Sequence, residues 1–252
     1  MSEIALITGA TSGIGAACAQ VFAREGYNLI LTGRRQERLE KLAAALTNQF
    51  KVKVFTLTFD IRDREQVNEK LEALPAEWQE IAILVNNAGL SLGLDPIQNG
   101  NIEDWETMID TNIKGLLYVS RKVSAWMISQ RKGHIINIGS IAAKEVYANG
   151  NVYCATKHAV DALNKGMRID LLPYEIKVTA VHPGFTATEF SEVRFKGDTQ
   201  KATHVYEGYL PLKAEDIAES IWFAASRPAH VNVSDLLIMP SAQASAGQIF
   251  KS

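Results

Sequence analysis

The chain has 252 residues, 47% of them hydrophobic and 21% charged, which is enough material to bury one large core. A formal net charge of -2 offers no basic field for nucleic acid and no cationic face for a membrane surface. Apolar runs are all shorter than the ~18 consecutive residues that predict a transmembrane helix. We therefore expect a single domain, residues 1–252, whose partners are small molecules or other protein subunits.

Short β-rich runs alternate with longer amphipathic runs along the chain. The short runs predict strands at residues 4–7, 29–32, 52–59, 81–85, 135–138, 178–181 and 236–239. The longer runs predict helices at residues 13–25, 38–50, 63–74, 102–131, 152–172 and 214–225. This alternation indicates an α/β fold of the Rossmann type, a doubly wound parallel sheet with helices on both faces. Ligands of such sheets bind beyond the carboxyl ends of the strands.

One long segment, residues 184–212, lacks clear periodicity and contains glycines, a proline and several charges. Irregular segments of this length inside a compact domain usually have a function. We therefore predict a lid over the substrate, with a plain surface excursion as the alternative.

The two cysteines, Cys18 and Cys154, have no second cysteine or suitably spaced histidine beside them. Their positions predict neither a disulfide framework nor a zinc site, and the scattered histidines indicate no other metal site. The first apolar run, Ile4–Ile7, is too short for the hydrophobic region of a signal peptide. These features favour a reducing cytoplasm.

A glycine-rich turn joins the first predicted strand to the first predicted helix. Such a turn lets backbone N–H groups and the helix N-terminus approach a pyrophosphate. Its Gly-x3-Gly-x-Gly spacing differs from the commoner Gly-x-Gly-x2-Gly fingerprint, so its position between strand and helix carries the prediction. The candidate cofactor contacts in this turn are Gly9, Thr11, Ser12, Gly13, Ile14 and Gly15.

Arg34 and Arg35 follow the second strand, where an NAD-binding unit usually has Asp or Glu. A carboxylate there would repel a 2′-phosphate, whereas paired guanidiniums can clamp it. We therefore expect NADP rather than NAD. The alternative is that both arginines only lie on the solvent-exposed face at the start of the next helix and do not bind the cofactor.

Tyr153 and Lys157 are four residues apart on a predicted helix, so their side chains share a face. A lysine cation about 5 Å away favours the phenolate by roughly 3 kcal/mol, or about two pKa units. With its pKa lowered in this way, Tyr153 can take the proton of a substrate hydroxyl during oxidation and return one during reduction.

Two other pairs, Tyr118/Lys122 and Tyr209/Lys213, have the same spacing. Pro211 would break the helix needed by the second pair, and the first pair follows no strand end. Tyr153/Lys157 instead comes shortly after a strand whose end delivers Ser140 to the ligand crevice. The Ser140 hydroxyl can hydrogen-bond the reacting oxygen of the substrate.

In combination and in order, these motifs resemble the landmarks of the short-chain dehydrogenase/reductase family along nearly the whole chain. The matching residues are the turn at 8–15, Asp60, the run 86–89, Asn112, Ser140, Tyr153, Lys157, Pro183 and Gly184. Within the family, segments 34–39, 104–112 and 188–197 are similar to the NADP-dependent 3-hydroxy acid dehydrogenases, which oxidise serine, allo-threonine and related acids.

The resemblance implies roles for further residues. Asp60 and Ile61 would lie beside the adenine, Asn112 would hold a water that links Tyr153 and Lys157 to solvent, and Lys157 would also contact the nicotinamide ribose. The remaining cofactor contacts implied are Asn87, Ala88, Gly89, Pro183, Gly184, Thr186 and Thr188. The long helices 102–131 and 152–172 would pair across subunits to form a homotetramer.

The predicted lid carries two cations, Arg194 and Lys196, either of which can pair with a substrate carboxylate. Our hypothesis favours Arg194. Lys196 or neither is the alternative, since Glu189, Glu192 and Asp198 can instead form a solvated charge network with them.

Three functions therefore compete. The first is an NADP-dependent oxidoreductase acting on a 3-hydroxy acid. The second is reduction of a 3-oxoacyl thioester, sugar or other ketone, which would use the same catalytic residues. The third is a non-catalytic NADP(H)-binding sensor, which the complete set of Asn112, Ser140, Tyr153 and Lys157 disfavours.

Overall fold

The computed structural model describes residues 2–251. The strands are β1 Ile4–Ile7, β2 Asn28–Gly33, β3 Val54–Thr58, β4 Ile81–Asn86, β5 Gly133–Ile138, β6 Ile176–Pro183, β7 Thr186–Ala187, β8 Leu212–Lys213 and β9 Asp235–Ile238. The α-helices are α1 Gly13–Arg24, α2 Gln36–Phe50, α3 Arg64–Glu72, α4 Ile102–Ile109, α5 Leu116–Gln130, α6 Asn151–Leu171, α7 Phe190–Arg194, α8 Thr199–His204 and α9 Ala214–Ala225.

A seven-stranded sheet of order β3-β2-β1-β4-β5-β6-β9 forms the centre of the fold, and all its pairings are parallel. Helices α1, α2 and α9 pack on one face, and α3, α5 and α6 pack on the other. The order reverses between β1 and β4, which creates the crevice where such sheets bind ligands. The prediction of a doubly wound parallel sheet is confirmed.

The residues of strand β1 alternate between the two hydrophobic cores that flank the sheet. Its four residues are all buried because a central strand of a parallel sheet is covered on both faces. Ala5 and Ile7 belong to the core beneath α1, whereas Ile4 and Leu6 belong to the core beneath α5. This alternation follows from the two-residue period of a strand.

The predicted helix over residues 102–131 is present and runs without a break from residue 102 to residue 130, but its hydrogen-bonding pattern changes partway along. A six-residue π-helix, Asp110–Gly115, separates α4 from α5. Such π-segments widen one turn of a helix and often lie beside functional sites. Hydrophobic periodicity indicates a helix here but does not distinguish its α-helical turns from its π-helical turn.

The segment 184–212 is more regular than its sequence indicates. Strands β7 and β8 pair in parallel at its two ends, and the short helices α7 and α8 lie between them. Helices of five and six residues are too short to establish a visible period.

Among the described helices, none has both the length and the apolar character that crossing a bilayer requires.

Candidate active site

A cavity of about 520 Å³ opens at the carboxyl ends of the central strands and extends beneath the segment 184–212. It brings together residues that the sequence places far apart. The predicted site residues that line it are Gly9, Thr11, Ser12, Gly13, Ile14, Arg34, Arg35, Asp60, Ile61, Asn87, Ala88, Gly89, Ser140, Tyr153, Lys157, Pro183, Gly184, Thr186, Thr188 and Arg194.

The glycine-rich turn is fastened to the end of β4 by Asn87. The Asn87 side chain donates to the carbonyl oxygens of Thr8 at 2.9 Å and Gly9 at 3.2 Å. Thr8 Oγ1 accepts from the N–H groups of Asn87 and Ala88, both at 3.0 Å. Gly9 has φ +67°, and a Cβ there would lie 2.9 Å from Ala88 Cα, so a side chain is excluded at this position. The turn is therefore rigidly placed at the floor of the cavity.

Two predicted site residues, Gly15 and Asn112, lie outside the described cavity lining. Gly15 packs beneath the turn, against Gly9 O and the Asn87 side chain. Asn112, in the π-helix, donates to Leu90 O at 2.8 Å and Thr156 Oγ1 at 3.0 Å and accepts from Leu90 N at 2.9 Å. Both residues support the site from behind its wall.

Arg35 forms the most extensive set of contacts at the end of β2. Its guanidinium donates to Thr11 Oγ1 at 2.7 and 3.1 Å and to Ser12 Oγ at 2.8 Å. It also pairs with Glu189 at 2.8 Å, and Arg38 pairs with the same carboxylate at 2.6 Å. The Arg35 guanidinium and the Thr11 and Ser12 hydroxyls, which all line the cavity, form a donor set that suits a phosphate dianion.

Asp60 lies at the same end of the cavity and forms an ion pair with Arg62, with 2.7 Å between Oδ2 and Nη2. The hydrogen bonds from Arg62 hold the pKa of Asp60 below its ordinary value. Asp60 is therefore an ionised acceptor at neutral pH.

Tyr153 and Lys157 lie in the first two turns of α6, with side chains buried at the base of the cavity. Lys157 Nζ donates to Ile138 O, at the end of β5, at 2.9 Å. Ser140 follows that strand, and its Oγ accepts from Ala142 N at 3.1 Å to cap a short 3₁₀ helix. Its hydroxyl lies close enough to the Tyr153 phenol to lower the pKa of that group. The predicted grouping of the serine, tyrosine and lysine is present in the geometry.

The pKa of Tyr153 is shifted in the direction opposite to our expectation. Burial raises the pKa of the phenol, and nearby Tyr147 adds to the effect, whereas Arg194 and Ser140 oppose it. Lys157 Nζ lies 5.9 Å from the centre of the Tyr153 ring, and burial lowers the pKa of this amine to about 8. Loss of hydration therefore outweighs the attraction of the lysine cation for the phenolate.

Arg194, on α7, reaches from the segment 184–212 to Tyr153. Its guanidinium carbon lies 5.1 Å from the centre of the Tyr153 ring. Nε donates to Ser91 Oγ at 3.0 Å and Nη2 donates to Tyr147 OH at 2.8 Å. Arg194 has no carboxylate partner among residues 2–251, whereas Lys196 pairs with Asp104 at 2.8 Å.

Sequence reasoning missed Tyr147 and Ser91, the two residues that hold Arg194. Both lie in irregular connections, Ser91 after β4 and Tyr147 before α6, where no periodic pattern marks a side chain as facing inward. The only available signal was that each follows a strand ending at the crevice.

The partners of Glu189 differ from the predicted charge network with Arg194 and Lys196, since Glu189 pairs with Arg35 and Arg38.

Comparison with known proteins identifies the class to which this fold and site belong. The family model for short chain dehydrogenases matches residues 3–199. The chain therefore belongs to the short-chain dehydrogenase family, which confirms the resemblance found in the sequence. It is an oxidoreductase of hydroxyl and carbonyl carbons.

Individual relatives are similar over their whole lengths. An NADP-dependent 3-hydroxy acid dehydrogenase of Salmonella typhi is 48% identical over 245 residues, which are 97% of each chain. Sulfoacetaldehyde reductase 2 of Chromohalobacter salexigens is 46% identical over 97% of this chain and 96% of its own. The solved closed form of a serine dehydrogenase complexed with NADP⁺ has a TM-score of 0.92 at 46% identity, with 99% of each chain covered.

Proposed function

We propose that this protein is an NADP-dependent dehydrogenase of 3-hydroxy acids such as serine, allo-threonine and 3-hydroxypropionate. The observation that carries the proposal is Arg194, a cation without a carboxylate partner among the described residues, 5.1 Å from the Tyr153 ring in the cavity. A substrate carboxylate paired with Arg194 would hold the neighbouring hydroxyl carbon near the phenol. The names of the relatives, a 3-hydroxy acid dehydrogenase and a serine dehydrogenase, support this substrate class.

The cavity residues fit a bound NADP. The glycine-rich turn offers N–H groups to a pyrophosphate, Arg34 and Arg35 offer guanidiniums to a 2′-phosphate, and ionised Asp60 offers an acceptor to the adenine side. Lys157 and the remaining lining residues, including Thr186 and Thr188, would hold the nicotinamide half. When bound, the nicotinamide accepts or donates the hydride.

The chain's own residues handle the proton. Tyr153, held as a phenol by its raised pKa, donates a proton to a carbonyl oxygen in reduction and must lose that proton to act as a base in oxidation. The Ser140 hydroxyl hydrogen-bonds the same oxygen while charge develops on it. Lys157 carries a positive charge near the phenol, and Asn112 supports the pair from behind.

We also propose that the segment 184–212 acts as a lid. It contributes Arg194, Phe190 and Tyr206 to the cavity wall opposite the sheet. Its Glu189 pairs with Arg35 on the body of the domain, which fastens the segment across the opening. A closed lid excludes water from the site of hydride transfer.

The test is the initial rate of NADP⁺ reduction at alkaline pH with L-serine, D-serine, L-allo-threonine, 3-hydroxypropionate and 3-hydroxyisobutyrate. We expect turnover of several of these acids, a sharp fall with NAD⁺ and loss of activity in Tyr153→Phe. No turnover of any acid would contradict the substrate class. Reduction of aldehydes or ketones by NADPH would then still identify an oxidoreductase.

Two variants, Arg194→Lys and Arg194→Ala, test whether Arg194 binds the substrate carboxylate. We expect KM for 3-hydroxy acids to rise in both variants and more in Arg194→Ala, because lysine keeps a charge but not the paired donors. The matched control is Lys196→Ala, since Lys196 is already paired with Asp104. KM for a neutral alcohol of similar size should stay unchanged in all three variants.

A second candidate is reduction of a small aldehyde that bears a sulfonate. Arg194 can bind a sulfonate as well as a carboxylate, and a relative 46% identical to this chain is named sulfoacetaldehyde reductase 2. Comparing kcat/KM for sulfoacetaldehyde with that for 3-oxo acids under NADPH separates the two candidates.

We propose a homotetramer located in the cytoplasm. Ile169 and Leu172, near the end of α6, are 73% and 72% exposed, which supports burial of this surface between subunits. Cys18 and Cys154 are both buried free thiols, as a reducing compartment favours. Light scattering after size-exclusion chromatography tests the assembly, and cell fractionation tests the location.

A further inference from the structure

A buried histidine links Ser140 to charged groups behind the active site. His182, in β6, is fully buried. Its Nδ1 lies 3.4 Å from Ser140 N and 3.2 Å from Ser140 O. On the other side of the ring, Nε2 lies 3.2 Å from Asp235 Oδ2 and 3.5 Å from Asp161 Oδ1.

These contacts determine which ring nitrogen carries the proton. Burial and the nearby Lys144 ammonium lower the pKa of His182, so the ring is neutral at pH 7. Nε2 faces two carboxylates, which can only accept, and it is therefore the protonated nitrogen that donates to Asp235. Nδ1 is left with a lone pair, which accepts from Ser140 N–H at 3.4 Å, so the 3.2 Å approach of Ser140 O to Nδ1 is a contact between two acceptors and not a hydrogen bond.

The carboxylates behind His182 are themselves held by lysines. Lys144 Nζ lies 2.6 Å from Asp235 and 3.0 Å from Asp161, and Lys165 Nζ lies 2.6 Å from the other oxygen of Asp161. Two ammonium groups thus balance two carboxylates. This charge balance argues against a metal ion and leaves Asp235 as a fixed acceptor for the imidazole.

The ring also packs directly against the main chain that precedes Ser140. A Cβ on Gly139 would lie only 2.2 Å from His182 Nδ1, so the glycine permits this approach. Ser140 has φ -176° and ψ 161°, and its Oγ is aimed by this extended main chain at the start of the 3₁₀ helix. A displacement of the Ser140 main chain therefore also displaces its hydroxyl, which lies beside the Tyr153 phenol.

We propose that His182, fixed in one tautomer by Asp235, is a positioning residue that sets the main chain of Ser140 and thereby aims its hydroxyl at the reacting oxygen. The inference rests on the proposed function, in which Ser140 contacts that oxygen. It assigns a role in the reaction to a side chain that does not line the cavity.

The first experiment compares two variants with the wild type. His182→Phe keeps the ring volume but removes both hydrogen bonds, and we expect kcat to fall about 10- to 100-fold through misplacement of Ser140. His182→Asn places an amide oxygen near the position of Nδ1 and should recover most of that loss. The Kd for NADP⁺ and the circular dichroism spectrum should be unchanged in both variants. If His182→Phe does not fold, His182→Gln, which can reach only Asp235, replaces it.

The second experiment repeats His182→Phe in a Ser140→Ala background. If His182 acts through the serine hydroxyl, the substitution should lower kcat less than about twofold there, because coupled residues are non-additive. An equal loss in both backgrounds, or a wild-type kcat in His182→Phe, would overturn the proposal. A wild type inactive on 3-hydroxy acids overturns the substrate assignment instead, and the same cycle then runs on a carbonyl compound that NADPH reduces.

Discussion

The Glu189 carboxylate, at the start of the lid helix α7, pairs with Arg35 on the body of the domain at 2.8 Å. Arg38 holds the second carboxylate oxygen at 2.6 Å. Although burial opposes it, the hydrogen bonds from both guanidiniums lower the pKa of Glu189 to about 2. The segment 184–212 therefore places a negative charge beside Arg35, the cation that we propose binds the 2′-phosphate.

Replacing this charge should favour the phosphorylated cofactor. In Glu189→Gln we expect the Kd for NADP⁺ to fall by up to about fivefold, since exposed ion pairs of this kind contribute ~0.2–1 kcal/mol. The Kd for NAD⁺, which lacks the 2′-phosphate, should change little. Calorimetric titration of both cofactors measures this, with Glu192→Gln on the same helix as the matched control. Equal shifts for NADP⁺ and NAD⁺ would show that the carboxylate does not compete with the phosphate.

Arg34 allows a direct test of phosphate recognition. It lines the cavity, and its side chain has no hydrogen bond or ion pair with the other residues described. Arg34→Ala should therefore leave the fold intact while it removes a charge-assisted contact worth ~1.5–3 kcal/mol. We expect the Kd for NADP⁺ to rise at least about tenfold and the Kd for NAD⁺ to stay constant. Arg35→Ala is a poorer probe because it also frees Thr11 and Ser12.

The sheet could be predicted from the sequence because its strands are buried on both faces. Strand β1 matches its predicted bounds, Ile4–Ile7, and every other predicted strand is present with ends shifted by a few residues. The π-helix Asp110–Gly115 was not predicted, since apolar spacing indicates a helix without specifying which carbonyl oxygen each N–H reaches. The short helices α7 and α8 also lacked a visible period.

Tyr153, Lys157 and Ser140 could be predicted as site residues because helical spacing and the end of a strand mark them in the sequence. Properties that depend on packing between distant parts of the chain could not be predicted. The pKa of Tyr153 depends on how completely the phenol is buried, and sequence spacing to Lys157 contains no measure of burial. Likewise, Arg194 and Lys196 have equal charge in the sequence, and only their contacts in the fold distinguish them, since Lys196 pairs with Asp104 whereas Arg194 lines the cavity.

The packing of α9 against α1 yields a prediction on stability. Phe22 is fully buried, with the Tyr27 and Trp222 rings edge-on at 5.4 and 5.5 Å. Phe22→Ala should lower the free energy of unfolding by about 3–5 kcal/mol, because it removes a large core side chain and leaves a cavity. Urea denaturation followed by tryptophan fluorescence measures the change, with Phe22→Leu as a milder control. A loss below about 1 kcal/mol would mean that the aromatic cluster is not a main support of this interface.

The titration of Tyr153 predicts opposite pH trends for the two directions of the reaction. Its raised pKa keeps the phenol protonated through the neutral range. Oxidation needs the phenolate as a base, so the logarithm of kcat should rise with pH, with a slope of up to about 1. Reduction needs the phenol as an acid, so its kcat should not increase with pH.

Lys157 adds a second feature to both profiles. Burial lowers the pKa of this amine to about 8, so it is charged below that pH and loses its charge above it. A neutral Lys157 no longer favours the phenolate, so the oxidation profile should flatten and the reduction profile should decline above about pH 8. Steady-state rates from pH 6 to 10 in both directions test this, with Tyr153→Phe as the inactive control. An oxidation rate independent of pH would show that Tyr153 is not the group whose ionisation limits the reaction.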